Sequence, residues 1–308
     1  MASPESGELK RSLGLGAVIS LGINGVIGQG IFLVPGKGAD LMGPSALVAL
    51  ALGGVVCFCI ALCFAEVGSR FKGTGGAYLY AREAFGEFVG FEVGWMTCCV
   101  AVIAWAALAN GFTVVLSRFI PAAGEGWVQP AIAGGLVTVL SAVNLLGARQ
   151  GAHVVNFFTV AKLIPILLFI TVGAFFMDGG NFQPFAPKGV APLAETTLLL
   201  MYAYVGFETM VVPAGEMDNP QRSVPLALFS VLAICSFVYL TVFGVALGTY
   251  PDIAGSTNPV AEASELFLGG WGATLIGIGI CLSVFGTNAG SALVSPRRFY
   301  ALGERGDL

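Results

Sequence analysis

Residues 22–35 read GINGVIGQGIFLVP, with four glycines, Gly22, Gly25, Gly28 and Gly30, set into an otherwise apolar run. The surrounding stretch 13–41 is too long for one helical pass of about 20 residues, but it suits two half-helices separated by a few unwound residues. Glycine weakens the helix there and frees backbone N–H and C=O groups, which at bilayer depth are tolerated only where they face a cavity or a ligand. Much later, residues 202–208, YAYVGFE, form a second interrupted apolar stretch. Two broken segments at matching places in two halves of a chain point to the binding site of a secondary transporter. The sequence reads as organised around these two breaks.

Composition agrees with a chain that lives in lipid. Of the 308 residues 56% are hydrophobic and 10% charged, and the mean hydropathy is +0.86. That leaves too little polar surface for a water-soluble domain. There is no basic patch for a nucleic acid; the partner implied by composition is the lipid bilayer. The seven cysteines all sit in apolar runs and read as small buried residues, and the single histidine, His153, is far from any of them, so neither a metal site nor a cofactor is expected. GxxxxGK[ST], HExxH and GxSxG are all missing, which removes the motif-based grounds for an enzyme.

Eight apolar segments can be drawn, at 13–41, 44–67, 85–120, 128–146, 153–177, 194–213, 224–247 and 266–294. With eight passes, both ends and the even-numbered loops share one side. That side carries ten basic residues (Lys10, Arg11, Arg70, Lys72, Arg82, Arg149, Arg222, Arg297, Arg298, Arg305) against three opposite (Lys37, Arg118, Lys188). The excess places both ends in the cytoplasm. The loop 69–87, rich in glycine and tyrosine, reads either as a structured cytoplasmic element able to act as a gate or as a plain turn with an interfacial aromatic belt.

Two charges fall inside segments. Lys162 lies about nine residues, or about 14 Å, into the fifth segment, too deep for its stem to escape easily. An amine buried there is a functional-site candidate and a possible proton carrier. Glu208 directly follows the second break, where a carboxylate either caps the N-terminus of a second half-helix or takes protons.

Taken together, several motifs resemble the amino acid permeases of the amino acid–polyamine–organocation superfamily. They are Gly28-Gln29-Gly30-Ile31-Phe32, Ala65-Glu66-Val67-Gly68-Ser69-Arg70-Phe71 running into Gly75-Gly76-Ala77-Tyr78, Tyr204-Val205-Gly206-Phe207-Glu208, Glu216 with Asn219-Pro220, Arg222 and Pro225, and Arg298 with Tyr300-Ala301-Leu302. The resemblance implies an all-α polytopic membrane protein with the inverted-repeat LeuT-type transporter fold, its first and sixth helices broken and its second repeat incomplete. The implied organisation is an N-terminal tail (1–12), a first five-helix repeat (13–177), an extracellular loop (178–193), three helices of the second repeat (194–302) and a cytoplasmic end (303–308), with the chain truncated after its eighth segment.

The same resemblance implies a site. The substrate's carboxylate would meet backbone N–H groups around Gly28, Gln29, Gly30 and Ile31, and its ammonium the carbonyls at Val26, Tyr202, Ala203 and Val205, with Gly206 at the bend. Tyr202 matches an aromatic gate, or is simply a packing aromatic. Gln29 replaces the usual small residue between the glycines. Lys162 matches a lysine that, in proton-coupled members, stands where sodium-coupled relatives bind an ion. The expected function is secondary active transport of amino acids across the plasma membrane by alternating access as a proton symporter, with amino acids and protons as partners. The alternatives are an amino acid exchanger and, more distantly, a channel or a non-transporting membrane subunit.

Overall fold

A computed structural model describes residues 11–308; Lys10 and the rest of residues 1–10 lie outside the described residues. The first apolar segment is α1 (Leu15–Val26) and α2 (Gly30–Met42), separated by three residues outside either helix. The second is α3 (Ala46–Gly68), reached through a tight turn at Gly43–Ser45 whose Gly43 has φ +65°. The loop after it carries a short helix, α4 (Ala77–Phe85), ahead of α5 (Glu87–Leu116), α6 (Val128–Leu145) and α7 (Ala148–Gly173). The sixth segment starts as α8 (Leu193–Met201) and continues as 3-10 turns at Tyr202–Tyr204 and Phe207–Val211. Then come α9 (Pro220–Thr249), α10 (Pro259–Leu268) and α11 (Gly270–Glu304).

Six helical stretches among the described residues are long and apolar enough to cross a membrane. The first and sixth segments fall short as continuous helices because each is interrupted at its glycines. Several expected boundaries shift, the start of the fifth segment moving back to Ala148 among them. The eighth segment divides at Gly269 (φ +66°) and its main helix continues through Glu304, past the expected end at Val294. The extension is possible because its charges are occupied: Arg297 donates to both oxygens of Glu216, and Arg298 donates to the carbonyl of Thr97 at 2.8 Å. The third segment loses both ends, at Gly86 (φ +88°) and after Leu116.

Close approach of α1 to its neighbours depends on small residues. A Cβ at Gly22 would lie 2.4 Å from Met210, and one at Gly286 of α11 would lie 2.6 Å from Asn24. Gly286 and Gly290, four apart on α11, form the small-xxx-small stripe that lets membrane helices touch. Around α1 pack α7, α9 and α11, and α3 packs on α8 and α9.

On the face bearing α4, the two broken segments join through backbone. The amides of Ser12 and Leu13 donate to Glu216 O at 2.9 Å, and that of Asp218 returns to Leu13 O at 3.2 Å. The loop 69–87 is structured: Gly75 N–H donates to Val212 O at 3.0 Å, and the Tyr78 hydroxyl and Arg82 both donate to Asp307 beyond α11. The hydrogen bond from Tyr78, with the Arg82 charge beside it, holds the Asp307 carboxyl below the usual carboxylate range.

Because the folded value is depressed, the stabilisation from Asp307 is complete above the unfolded value of about 3.9 and disappears as pH falls through the lower folded value. Hydrogen exchange of the α4 amides should therefore be flat from about pH 8 to 5 relative to an Asp307→Asn variant, the gap closing only in stronger acid. A gap that closes near neutrality would contradict this contact.

Candidate functional site

At the first break the chain continues past α1 with Ile27 N–H on Ile23 O and Gly28 N–H on Val26 O, and α2 then starts at Gly30. Among the described residues no acceptor is found for the amides of Gln29, Gly30 and Ile31. Three consecutive unspent N–H groups at the N-terminus of a 13-residue helix form an anion-binding end, favoured further by the helix dipole. The Gln29 side chain turns toward Gly111 of α5.

The carbonyls of the same break are claimed by side chains. Lys162, with no exposed surface, donates from Nζ to Ile27 O at 2.6 Å and to Asn24 O at 3.1 Å. From α11, Ser283 donates to Ile27 O and Gly28 O, and Thr287 to Asn24 O. Lys162 thus serves as a two-point clamp on the unwound backbone.

In the sixth segment Gly206 turns the chain at φ +120°, a conformation that L side chains avoid. Its N–H donates to Glu208 Oε2 at 2.9 Å. Where a second α-helical half is expected, residues Phe207–Val211 instead form a 3-10 turn, so the carboxylate caps the bend itself. The carbonyl of Val205 accepts no hydrogen bond among the described residues, while Tyr202 O receives Val205 N–H. Tyr202 is 73% exposed and does not close over the break.

The two breaks face each other. A Cβ on Gly206 would sit 2.6 Å from Gly25 O, and one on Gly30 would sit 3.9 Å from the Cα of Ala203. One side chain unites them: the hydroxyl of Tyr239 on α9, fully buried, lies 2.7 Å from Val26 O and 2.8 Å from Ala203 O. A phenol has one proton to give, and Val26 O also accepts from Gly28 N–H at 2.9 Å, so Ala203 O is the carbonyl left seeking a donor when the proton points to Val26.

The structure therefore brings Val26, Gly28, Gln29, Gly30, Ile31, Ala203, Val205 and Gly206 to one place, with Lys162 behind the first break and Glu208 beside the second. Sequence reasoning missed Asn24, Tyr239, Ser283 and Thr287. The i, i+4 spacing of Ser283 and Thr287 and the lone phenol of the seventh segment were the available signals, since a buried hydroxyl needs a partner.

A profile described as amino acid permease matches residues 13–308. The chain belongs to this family. It is 32% identical over 224 residues to the methylthioribose transporter of Bacillus subtilis (strain 168), covering 68% of this chain and 48% of that protein. It is 31% identical over 286 residues to the chloroplastic cationic amino acid transporter 9 of Arabidopsis thaliana, covering 86% and 50%. The chain thus spans about half the length of these relatives. Its fold matches that of Mhp1, a nucleobase-cation-symport-1 family transporter solved in a closed conformation with bromovinylhydantoin bound, at a TM-score of 0.68 and 15% identity, covering 98% of this chain and 70% of that one. This permease is a multi-pass membrane protein with the inverted-repeat transporter fold.

The contact between the breaks gives a pair of graded outcomes. Gly206→Ala should lower the thermal stability of the detergent-purified permease sharply, by about 1–3 kcal/mol from backbone strain alone, with the clash on Gly25 added. Tyr239→Phe, which keeps the ring, should cost about 1–3 kcal/mol through an unsatisfied buried carbonyl. A Gly206→Ala protein that melts like the parent would mean that the breaks do not touch there.

Proposed function

We propose that this permease carries amino acids across the plasma membrane by alternating access, coupled to protons, with both ends of the chain in the cytoplasm. The observation that carries the reading is the polarity of the paired breaks: unspent amides at Gln29, Gly30 and Ile31 opposite carbonyls at Val205 and Ala203. Val26 O already faces Gly28 N–H and the Tyr239 hydroxyl, so the ammonium falls to the open carbonyl of Val205 and to Ala203 O, which keeps a second lone pair beside Tyr239. Such a frame suits a zwitterion, with the carboxylate on the amides and the ammonium among the carbonyls. The name of the Arabidopsis relative, a cationic amino acid transporter, points the same way.

For coupling, the reading assigns the proton to Lys162. A protonated Nζ has three donors and a positive charge for the carbonyls of Asn24 and Ile27. The neutral amine binds them less strongly, so loss of the proton loosens the unwound turn that frames the carboxylate site. Glu208, on Gly206 N–H, is the second group able to tie proton occupancy to the shape of a break. The units that would move against each other are the first repeat, 13–177, and the helices of 194–302. The ten-to-three distribution of basic residues supports the orientation.

The test is uptake of a radiolabelled amino acid panel into proteoliposomes under an imposed pH gradient, with and without sodium. Protons alone should drive accumulation, and Lys162→Ala should abolish that accumulation while leaving counterflow measurable. No gradient-driven accumulation in the parent protein, with rapid counterflow when the vesicles are preloaded, would make it an exchanger and leave Lys162 a structural clamp.

A further inference from the structure

Beside the sixth-segment break lies a cavity of about 390 Å³ that the transport reading above does not use. Its volume is at the lower end of the roughly 300–1,000 Å³ typical of ligand pockets, enough for one small molecule. It is walled mostly by apolar side chains, among them Val93 and Met96 of α5, and its lining reaches Gly75 and Ala77 at the start of α4. Three charged groups line it: Glu92, Glu208 and Arg298.

None of the three is in an ion pair among the described residues. Arg297 next door is paired with Glu216, but Arg298 has no carboxylate within 4.0 Å among the described residues. One of its nitrogens is used on Thr97 O, while Nε is buried without an acceptor. Glu208 gives one oxygen to Gly206 N–H and has no ion pair among the described residues. A guanidinium held against an apolar wall with no counter-ion is costly, and it is retained where an anion visits. Opposite charges that share a cavity without touching leave room for a molecule that bears both.

We propose that this cavity is a second, transit subsite for the amino acid, in which Arg298 takes the α-carboxylate and Glu208 the α-ammonium as the substrate passes between the breaks and the α4 face. The assignment rests on the transport reading. It also extends it: when Glu208 receives the ammonium its hold on Gly206 N–H weakens, so occupancy of the subsite is felt at the break. With Glu92 beside them the three groups sum to a net negative charge, so the subsite admits neutral and cationic side chains and repels acidic ones.

The experiment uses sided proteoliposomes, the α4 face being identified by protease removal of an N-terminal tag, with radiolabelled L-leucine, L-serine and L-lysine as probes offered from either face. Arg298→Gln should raise the half-saturating concentration at the α4 face about tenfold, equivalent to about 1.4 kcal/mol, and change it less than about twofold at the other. Arg298→Lys, which keeps the charge, should recover most of the loss. Val93→Phe narrows the cavity without touching the charges and should give the same one-sided effect, which keeps the test decisive if Arg298→Gln does not fold. Equal shifts at both faces, or none, in a protein that transports normally would overturn the subsite and leave the transport reading intact. A parent protein that moves none of the probes would overturn both.

Discussion

A helix broken inside a bilayer releases polar backbone groups that water cannot reach, and the protein must satisfy them itself. In this permease that requirement explains why α7, α9 and α11 converge on α1. Each supplies a donor to the first break: Lys162 from α7, Tyr239 from α9, and Ser283 and Thr287 from α11. The glycines of α1 and α11 permit the approach that those bonds need. Remove the break and the donors would themselves be buried without partners, so break and bundle stabilise one another.

Satisfaction is uneven, and the unevenness is chemically informative. Carbonyls at the first break are covered by side chains, those of Asn24 and Ile27 twice, whereas the amides of Gln29, Gly30 and Ile31 are left open at a helix end. Leaving amides bare costs free energy in the empty state, a cost that an incoming anion removes. At the second break the pattern reverses, with the Gly206 amide capped by Glu208 and the Val205 carbonyl open. The two open ends have opposite polarity and lie across a Gly25–Gly206 contact too close for any side chain.

The α4 face shows how such a site is held together at a distance from it. The strand-like pairing of Leu13 with Met217 ties the starts and ends of the two broken segments, and the Glu216–Arg297 pair, almost wholly buried, fastens α11 to the same point. A buried ion pair of this kind contributes little net stability while whole, yet losing one partner is costly. That combination suits a contact that specifies geometry, and α4 adds a further fastening through Asp307.

The sequence by itself determined the class of molecule, the positions of both breaks, and the presence of Lys162 and Glu208 inside apolar segments, although α7 starts at Ala148 and not near His153 as expected. These are local properties: hydropathy over about 20 residues, glycine's tolerance of unwound backbone, and the cost of charge in hydrocarbon. It also carried the family motifs that a profile over residues 13–308 now supports. What only the tertiary structure decided is which groups meet. Tyr239 is one more apolar-run aromatic until its hydroxyl is seen between two carbonyls 177 residues apart in the chain, at Val26 and Ala203. The extension of α11 to Glu304 likewise depended on partners, Glu216 and Thr97, that no periodicity announces. Directional hydrogen bonds between distant segments are fixed by packing to within an ångström, and residue order along the chain contains no measure of that distance.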